Sequence, residues 1–237
     1  MKRFNVFHFI FLFFVILSFI LSSSCKKDDD ADPVSPTPNP SSLFSDDFKS
    51  TVLKDGWHWA NEPSAWDINT SRIDYLFFIG NLNANIFCED NTSRLYQIIS
   101  NEQDFDVYTH MRCIWGNNAS DVAGIICKSA TSGDWVLLKF WMHGDLSARL
   151  EFQTKCNDII SPVPGSEINS GDFEFYLRMK KLGNDYTTYF KYNEGDDWTL
   201  VGTTAFDGQL PLQLGIFGGT DSGNGELIVE IDYFKLM

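Results

Sequence analysis

Little in this 237-residue chain is basic: 18 Lys and Arg stand against 32 Asp and Glu, a formal charge of −14. A net field of that sign argues against nucleic acid or anionic lipid as a partner. It also disfavours a strongly anionic polysaccharide unless basic residues cluster locally, and its simplest use is solubility. Histidine and cysteine are few, four and five, and no close Cys/His group is present to hold zinc. Helical periodicity is missing over any long window, which excludes a helical architecture. There is no internal repeat. The Gly-rich stretch "GGTDSGNG" (Gly218–Gly225) lies between two strand-like runs and not ahead of a helix, so it is no phosphate loop.

What is present begins with the one long apolar run. Met1-Lys2-Arg3 is a basic start, and Phe4 to Leu21 is almost unbroken Phe, Leu, Ile and Val, long enough to span a bilayer. The run ends in Leu21-Ser22-Ser23-Ser24-Cys25, small residues directly before a cysteine. This resembles a bacterial lipoprotein signal, which implies that residues 1–24 are removed and Cys25 is lipidated. Ser22 stands where an aliphatic residue is common. Lys26-Lys27-Asp28-Asp29-Asp30 resembles the acidic export signal of surface lipoproteins in the Bacteroidota, and implies an outer-membrane anchor facing the cell exterior. Loss of residues 1–24, which carry Lys2 and Arg3 and no acid, makes the remainder two units more acidic. Asp32–Ser42, "DPVSPTPNPSS", holds four of the eight prolines and cannot bury enough surface to fold. Residues 25–42 therefore read as a tether, and 43–237 as one well-buried domain.

That domain reads as nearly all β. Aromatic and β-branched residues recur in short runs at Phe105–Trp115, Val122–Ser129, Trp135–His143, Ala148–Thr154, Phe173–Lys180, Tyr186–Tyr192, Thr199–Gly202, Leu212–Gly218 and Leu227–Leu236. Turn chemistry separates them, as at Ser132-Gly133-Asp134 and Gly183-Asn184-Asp185. Many short antiparallel strands in one domain predict a two-sheet sandwich. Cys88, Cys113, Cys127 and Cys156 remain after lipidation of Cys25. Their even number permits disulfides in an exported protein, while Cys113, in the apolar phase of Phe105, Val107 and Met111, fits a buried thiol equally well.

The order of "LFSDDF" (Leu43–Phe48), "WHWANEPSAWDI" (Trp57–Ile68), "SRLYQ" (Ser93–Gln97), "DFDVYT" (Asp104–Thr109), "VAGII" (Val122–Ile126), the long run Phe175–Gly202, "LGIFGG" (Leu214–Gly219) and "IDYFKL" (Ile231–Leu236) resembles the concanavalin A-like lectin/glucanase jelly roll. It is especially similar to the C-terminal domains of family 43 β-xylosidases and their stand-alone relatives of unknown function. The resemblance implies an all-β jelly-roll sandwich of two curved antiparallel sheets, with ligands held on the concave one. Function lives in sites, so the fold alone assigns none.

Alternation along the central strands then gives a candidate ligand face. If Phe105, Val107 and Met111 point inward, Tyr108, His110 and Arg112 point out. In "WVLLKFWMH" Val136, Leu138, Phe140 and Met142 form the core face, leaving Trp135, Lys139, Trp141 and His143. In "ARLEFQT" Arg149, Glu151 and Gln153 are outward, and with Phe173, Phe175, Leu177 and Met179 inward, Glu174, Tyr176, Arg178 and Lys180 are outward. Flat aromatic rings suit the C–H face of a pyranose and planar polar groups suit its hydroxyls. The expectation is one carbohydrate-binding surface made by four strands; packing of the tryptophans under a loop is the competing explanation. Trp57, Trp59 and Trp66 fit core and sheet-edge packing, with Trp59 able to reach the mouth of a cleft. Trp198 fits a hairpin anchor and Trp115 a buried position.

Catalytic motifs are incomplete. Laminarinase-type enzymes of this fold carry Glu-x-Asp-x-x-Glu, with carboxylates about 5–5.5 Å apart. The nearest match, Glu230-Ile231-Asp232-Tyr233-Phe234-Lys235, has lysine in place of the last acid. A lyase, with a Tyr or His base and a neutralising cation, could draw on Tyr108, His110, Arg112, Lys139 and His143. "YFKYN" (Tyr189–Asn193) resembles a lyase strand, but the accompanying Arg-x-Glu and Gln-Ile-His motifs are missing. The resemblance also implies a structural calcium tying the first strand to the last, with Asp46 or Asp47 and Asp232 as oxygen ligands; no other cofactor is expected. The expected function is a non-catalytic surface lipoprotein that captures polysaccharide or oligosaccharide, beside neighbouring glycan-uptake proteins. It would touch the membrane only through its lipid. A polysaccharide-degrading enzyme and a purely structural surface protein are the alternatives.

Overall fold

The computed structural model describes residues 42–237 except 88–89, 101, 115–119, 146, 170–172 and 210. Cys25, the signal and the tether up to Ser41 lie outside the described residues, as do Cys88 and Trp115. The described chain forms β1 (His58–Ala60), β2 (Trp66–Ile68), β3 (Leu76–Ile79), β4 (Ser93–Ile99), β5 (Phe105–Ile114), β6 (Asp121–Ser129), β7 (Trp135–Met142) and β8 (Ala148–Cys156). It continues with β9 (Ile159–Pro162), β10 (Ile168–Asn169), β11 (Glu174–Leu182), β12 (Asp185–Lys191), β13 (Thr199–Ala205), β14 (Leu212–Thr220) and β15 (Ile228–Leu236). No helix occurs among the described residues.

The strands make two antiparallel sheets. An eight-stranded sheet runs β1-β4-β14-β6-β7-β8-β10, with β9 on β8, and a seven-stranded sheet runs β13-β12-β11-β5-β15-β3-β2. Alternation decides the core. Val136, Leu138 and Phe140 from β7 face Phe175, Leu177 and Met179 from β11 and Val107 and Met111 from β5 in one continuous cluster between the sheets. Losing one such aromatic, as in Phe140→Ala, costs about 3–5 kcal/mol in transfer and cavity terms. Turn chemistry fixes the hairpins: Leu182 pairs Asp185 across the two residues Gly183 and Asn184, and Gly183 has φ 58°, a conformation glycine adopts without a Cβ clash.

Two local departures from regular alternation matter later. Register shifts between Ile231 and Tyr233 in β15, so Asp232 is the extra residue of a bulge opposite His110 and Met111. The first described segment is grafted onto both sheets. Phe44 donates its N–H to Gln97 Oε1 at 3.0 Å and accepts from Gln97 Nε2 at 2.9 Å, on β4. Asp46 exchanges backbone bonds of 2.7 and 2.8 Å with Phe234, on β15.

Candidate functional site

The outer face of the eight-stranded sheet is not a solvated face. Leu137 and Trp135 from β7, Val122 and Ile126 from β6 and Phe217 from β14 form a second apolar cluster there, capped by Ile86 and Phe87. The cap belongs to an Asn-rich segment before β4, whose polar side chains hold it in place. Asn85 N–H donates to Asn91 Oδ1 at 2.6 Å, Asn91 Nδ2 donates to the Asn83 carbonyl at 2.8 Å, and Ala84 N–H donates to the Thr220 carbonyl at 2.7 Å. Asn83 and Asp90 sit at φ 52° and 53°, which Asn and Asp tolerate better than most residues. Asp90 pairs with Arg94 and, at 3.2 Å, with Lys128, and Lys155 Nζ donates to the Phe87 carbonyl at 3.2 Å.

Under this cap Trp135 is 1% exposed, 6.1 Å from the Phe87 ring. It belongs to the second core and not to an open ligand face, because Phe87 covers it. Trp141, three pleat repeats further on, is only half-buried and lines a cavity of about 380 Å³. Lys139 and Glu151, cross-strand partners on β7 and β8, lie on its wall 3.2 Å apart and are 4% and 7% exposed. The Lys139 ammonium sits 4.7 Å from the Phe87 ring centre and 4.9 Å from that of Trp141. Burial pushes its pKa down, and Glu151 only partly restores it. Gly124, opposite Lys139, admits no side chain: a Cβ would meet the Leu138 carbonyl oxygen at 2.1 Å.

Two residues on the cavity wall each carry one buried polar atom with no partner among the described residues. Trp141 Nε1 is a buried donor without an acceptor, and Gln153 Oε1 a buried acceptor without a donor. An unpaired buried polar atom costs about 1–3 kcal/mol. At the far end of β7, His143 Nδ1 lies 3.0 Å from Asp145, and Arg149 holds Glu167 and Asp145. Neither lines the cavity. Asn85, Phe87 and Asp221 do, and none was expected from strand alternation. The signal was the Ile86-Phe87 pair inside a polar, Asn-rich stretch.

Tyr108, His110, Arg112, Tyr176 and Arg178 lie elsewhere. Their strands, β5 and β11, belong to the seven-stranded sheet, so they face outward on the opposite side of the sandwich. The single four-strand surface expected from alternation is thus two surfaces: phase was legible in each strand, but the sheet to which a strand belongs is set by long-range pairing. Phe173, expected inward, precedes β11 and is 41% exposed.

On this second face the groups partner one another. His110, 7% exposed, sits between Asp232 Oδ2 at 3.1 Å and Glu174 Oε1 at 3.0 Å and stacks on Tyr176 with centroids 4.2 Å apart. Burial alone would lower its pKa, but the two carboxylates outweigh it and raise the imidazole above its ordinary value. The β15 bulge makes this possible by turning both Asp232 and Tyr233 toward His110. Arg178 forks onto Asp106 at 2.6 and 2.7 Å and lies over Tyr189 and Trp198. Lys191 lies over Tyr176 and Trp198, and Tyr108 packs edge-on against Trp198 and Tyr233. Trp198 is therefore a member of this aromatic face as well as a hairpin residue.

The acids assigned to calcium have protein partners. Asp46 accepts from Trp57 Nε1 and from Phe48 N–H, each at 3.0 Å, and pairs with Lys54 at 3.2 Å. Asp47 is exposed and 3.9 Å from Lys49, and Asp232 holds His110. The link between first segment and last strand is made by direct backbone bonds. Among the described residues no group of three or more His, Cys, Asp or Glu is placed to hold a metal ion. Trp59 packs between Trp66 and Phe78, at 5.5 and 5.6 Å, and takes no part in the cavity wall. Cys113, Cys127 and Cys156 are free thiols. Burial raises the first two, Cys127 to about 12, which leaves them inert at neutral pH.

No family model matches the sequence, and no curated protein matches it. Solved structures do share its fold. The GH43 protein of Bacillus licheniformis superposes with a TM-score of 0.69 at 14% identity, over 86% of this chain and 41% of that one. The chain thus spans less than half the length of that protein. A functionally unknown protein of Saccharomyces cerevisiae gives a TM-score of 0.63 at 14% identity over 77% of this chain and 97% of its own. The β-glucanase of Bacillus licheniformis gives 0.54 at 12% identity over 82% and 97%. At these identities the likeness establishes the fold, a two-sheet antiparallel jelly roll of the concanavalin A-like kind.

Proposed function

We propose that this chain is a non-catalytic carbohydrate-binding lipoprotein, anchored through Cys25 in the outer membrane with the domain outside the cell, and that it takes a saccharide into the cavity over the eight-stranded sheet. The observation that carries the reading is the half-buried Trp141 ring on the wall of a cavity of about 380 Å³, beside the Lys139–Glu151 pair and Gln153. A sugar ring offers C–H faces to the Trp141 ring and hydroxyls that both donate and accept. It can use the ring and the polar wall together, which an apolar ligand cannot. The GH43 and β-glucanase folds among the structural neighbours agree with a glycan as ligand. The small residues before Cys25 and the acidic run after it support the anchor.

The non-catalytic part rests on Lys235, which stands in place of the last acid of the nearest glycosidase-like motif. Glu230, its first acid, is in any case engaged by Arg72 at 3.1 Å and by Arg112 at 3.5 Å. Affinity electrophoresis of the purified domain across a panel of polysaccharides, with reducing-sugar and unsaturated-uronate assays alongside, tests the whole reading. The expected outcome is retardation by at least one glycan with no product, abolished in Trp141→Ala and weakened in Gln153→Ala. Retention by no glycan overturns it, and product release replaces it with an enzyme.

A further inference from the structure

The charge of the cavity narrows its ligand, on the premise that it is a saccharide site. Its described lining carries one cation, Lys139, and two carboxylates, Glu151 and Asp221. The ammonium is committed: it lies 3.2 Å from Glu151 and between the Phe87 and Trp141 rings. The cations further out are committed as well. Arg149 is held by Glu167 and Asp145, Lys155 by Asp158 and the Phe87 carbonyl, and Lys128 and Arg94 share Asp90. A ligand carboxylate or sulfate entering here meets a wall with more negative than positive charge and finds its natural partner already bound.

We propose that the cavity selects uncharged saccharides, with Glu151 as the residue that excludes uronates and sulfated sugars by occupying Lys139. Glu151 lies within the low-dielectric wall, where charge interactions are screened far less than at the surface. An anion beside it would be buried without a counter-charge. A neutral sugar meets no such penalty, and its hydroxyls can donate to the carboxylate lone pairs that Lys139 leaves open. Glu151 is in this sense a specificity residue: it sets which sugars are refused more than how tightly the accepted one is held.

The test compares matched ligands on the intact domain. Gluco- and manno-oligosaccharides are titrated by calorimetry beside the same chains oxidised at C6 to uronates, at low and at 0.15 M salt. Wild type is expected to bind at least one neutral chain and its uronate form at least tenfold more weakly. Glu151→Gln, similar in shape and without the charge, should close that ratio to within about threefold at low salt, the gain fading with screening. Asp221→Asn, at an exposed position on the rim, should move the ratio the same way by less and guards against a folding failure in the first variant. Uronates bound by wild type as tightly as their neutral forms would overturn the selection while leaving the saccharide reading intact. A folded Glu151→Gln with an unchanged ratio would do the same. Binding of neither form would remove both.

Discussion

The two outer faces of this sandwich carry the same residue types and differ in how those residues are covered: the seven-stranded face has a polar hollow of about 550 Å³ lined by Arg112, Glu174 and Tyr176 and leaves Asp232 Oδ1 unpaired beside His110, while the eight-stranded face is partly roofed by an apolar cap. On the seven-stranded face Arg178 has Asp106 and two rings, His110 has two carboxylates and a stacked Tyr176, and Lys191 lies over two rings. On the eight-stranded face a capping segment covers Trp135 and Leu137 and leaves Trp141 half-buried on the wall of a cavity shared with Lys139, Glu151 and Gln153. Aromatic and charged composition alone therefore does not mark a binding surface. The informative difference is enclosure: on the eight-stranded face a half-buried ring, Trp141, and a buried ion pair, Lys139–Glu151, share one cavity wall.

The contrast can be broken first at its ion pairs. Glu151→Ala leaves Lys139 charged and buried without its partner, and should lower stability by about 3–5 kcal/mol. The partly buried Arg178–Asp106 pair, removed by Asp106→Ala, should cost less, about 1 kcal/mol. Urea denaturation of both variants would show the order, and equal losses would erase the distinction between the faces. Next in size is binding. Trp141→Ala should weaken the best neutral glycan by about 2 kcal/mol, roughly thirtyfold, while Trp198→Ala on the other face leaves the dissociation constant unchanged. If instead Trp198→Ala carries the larger loss, the site is on the wrong sheet.

A smaller effect sharpens the chemistry of the seven-stranded face. The pKa of His110 is raised in the folded state above its ordinary 6.5, so its interactions stabilise the fold fully below that value. That contribution is lost as pH rises through the folded pKa. The stability difference between wild type and His110→Gln should thus be largest near pH 6 and shrink towards alkaline pH, with the midpoint of the change above 6.5. A difference that grows with pH would mean that His110 is held neutral. Smallest of all, Gln153→Ala should reduce glycan affinity by about 1 kcal/mol with little change in thermal midpoint, since it removes an acceptor that the empty protein leaves unpaired.

Much of this architecture was legible beforehand. Val136, Leu138 and Phe140 on β7 and Phe175, Leu177 and Met179 on β11 point inward as period-two alternation requires, and Gly183-Asn184 makes the expected hairpin. Four features were not legible, each for a physical reason. Which sheet holds β5 depends on its pairing with β15, more than a hundred residues away, and no local pattern encodes that. The bulge at Asp232 puts two successive residues beside His110 and breaks the alternation within β15. Short edge strands such as His58–Ala60 and Trp66–Ile68 have three residues each, too few to show a period. The burial of Trp135 comes from Phe87, a residue in a loop that strand patterning does not address. On the cavity wall, the outward phase of Trp141, Lys139, Glu151 and Gln153 was legible from alternation, while the part supplied by Asn85, Phe87 and Asp221 was not.

The graft of the first segment onto both sheets has a mechanical consequence. Phe44 is bonded to Gln97 on the eight-stranded sheet, and Asp46, two residues on, to Phe234 on the seven-stranded one, with Ser45 Oγ accepting the Leu236 N–H at 2.9 Å between them. Tension entering at this segment would meet bonds to both sheets within three residues, so a pull there loads both layers of the sandwich and not one strand alone.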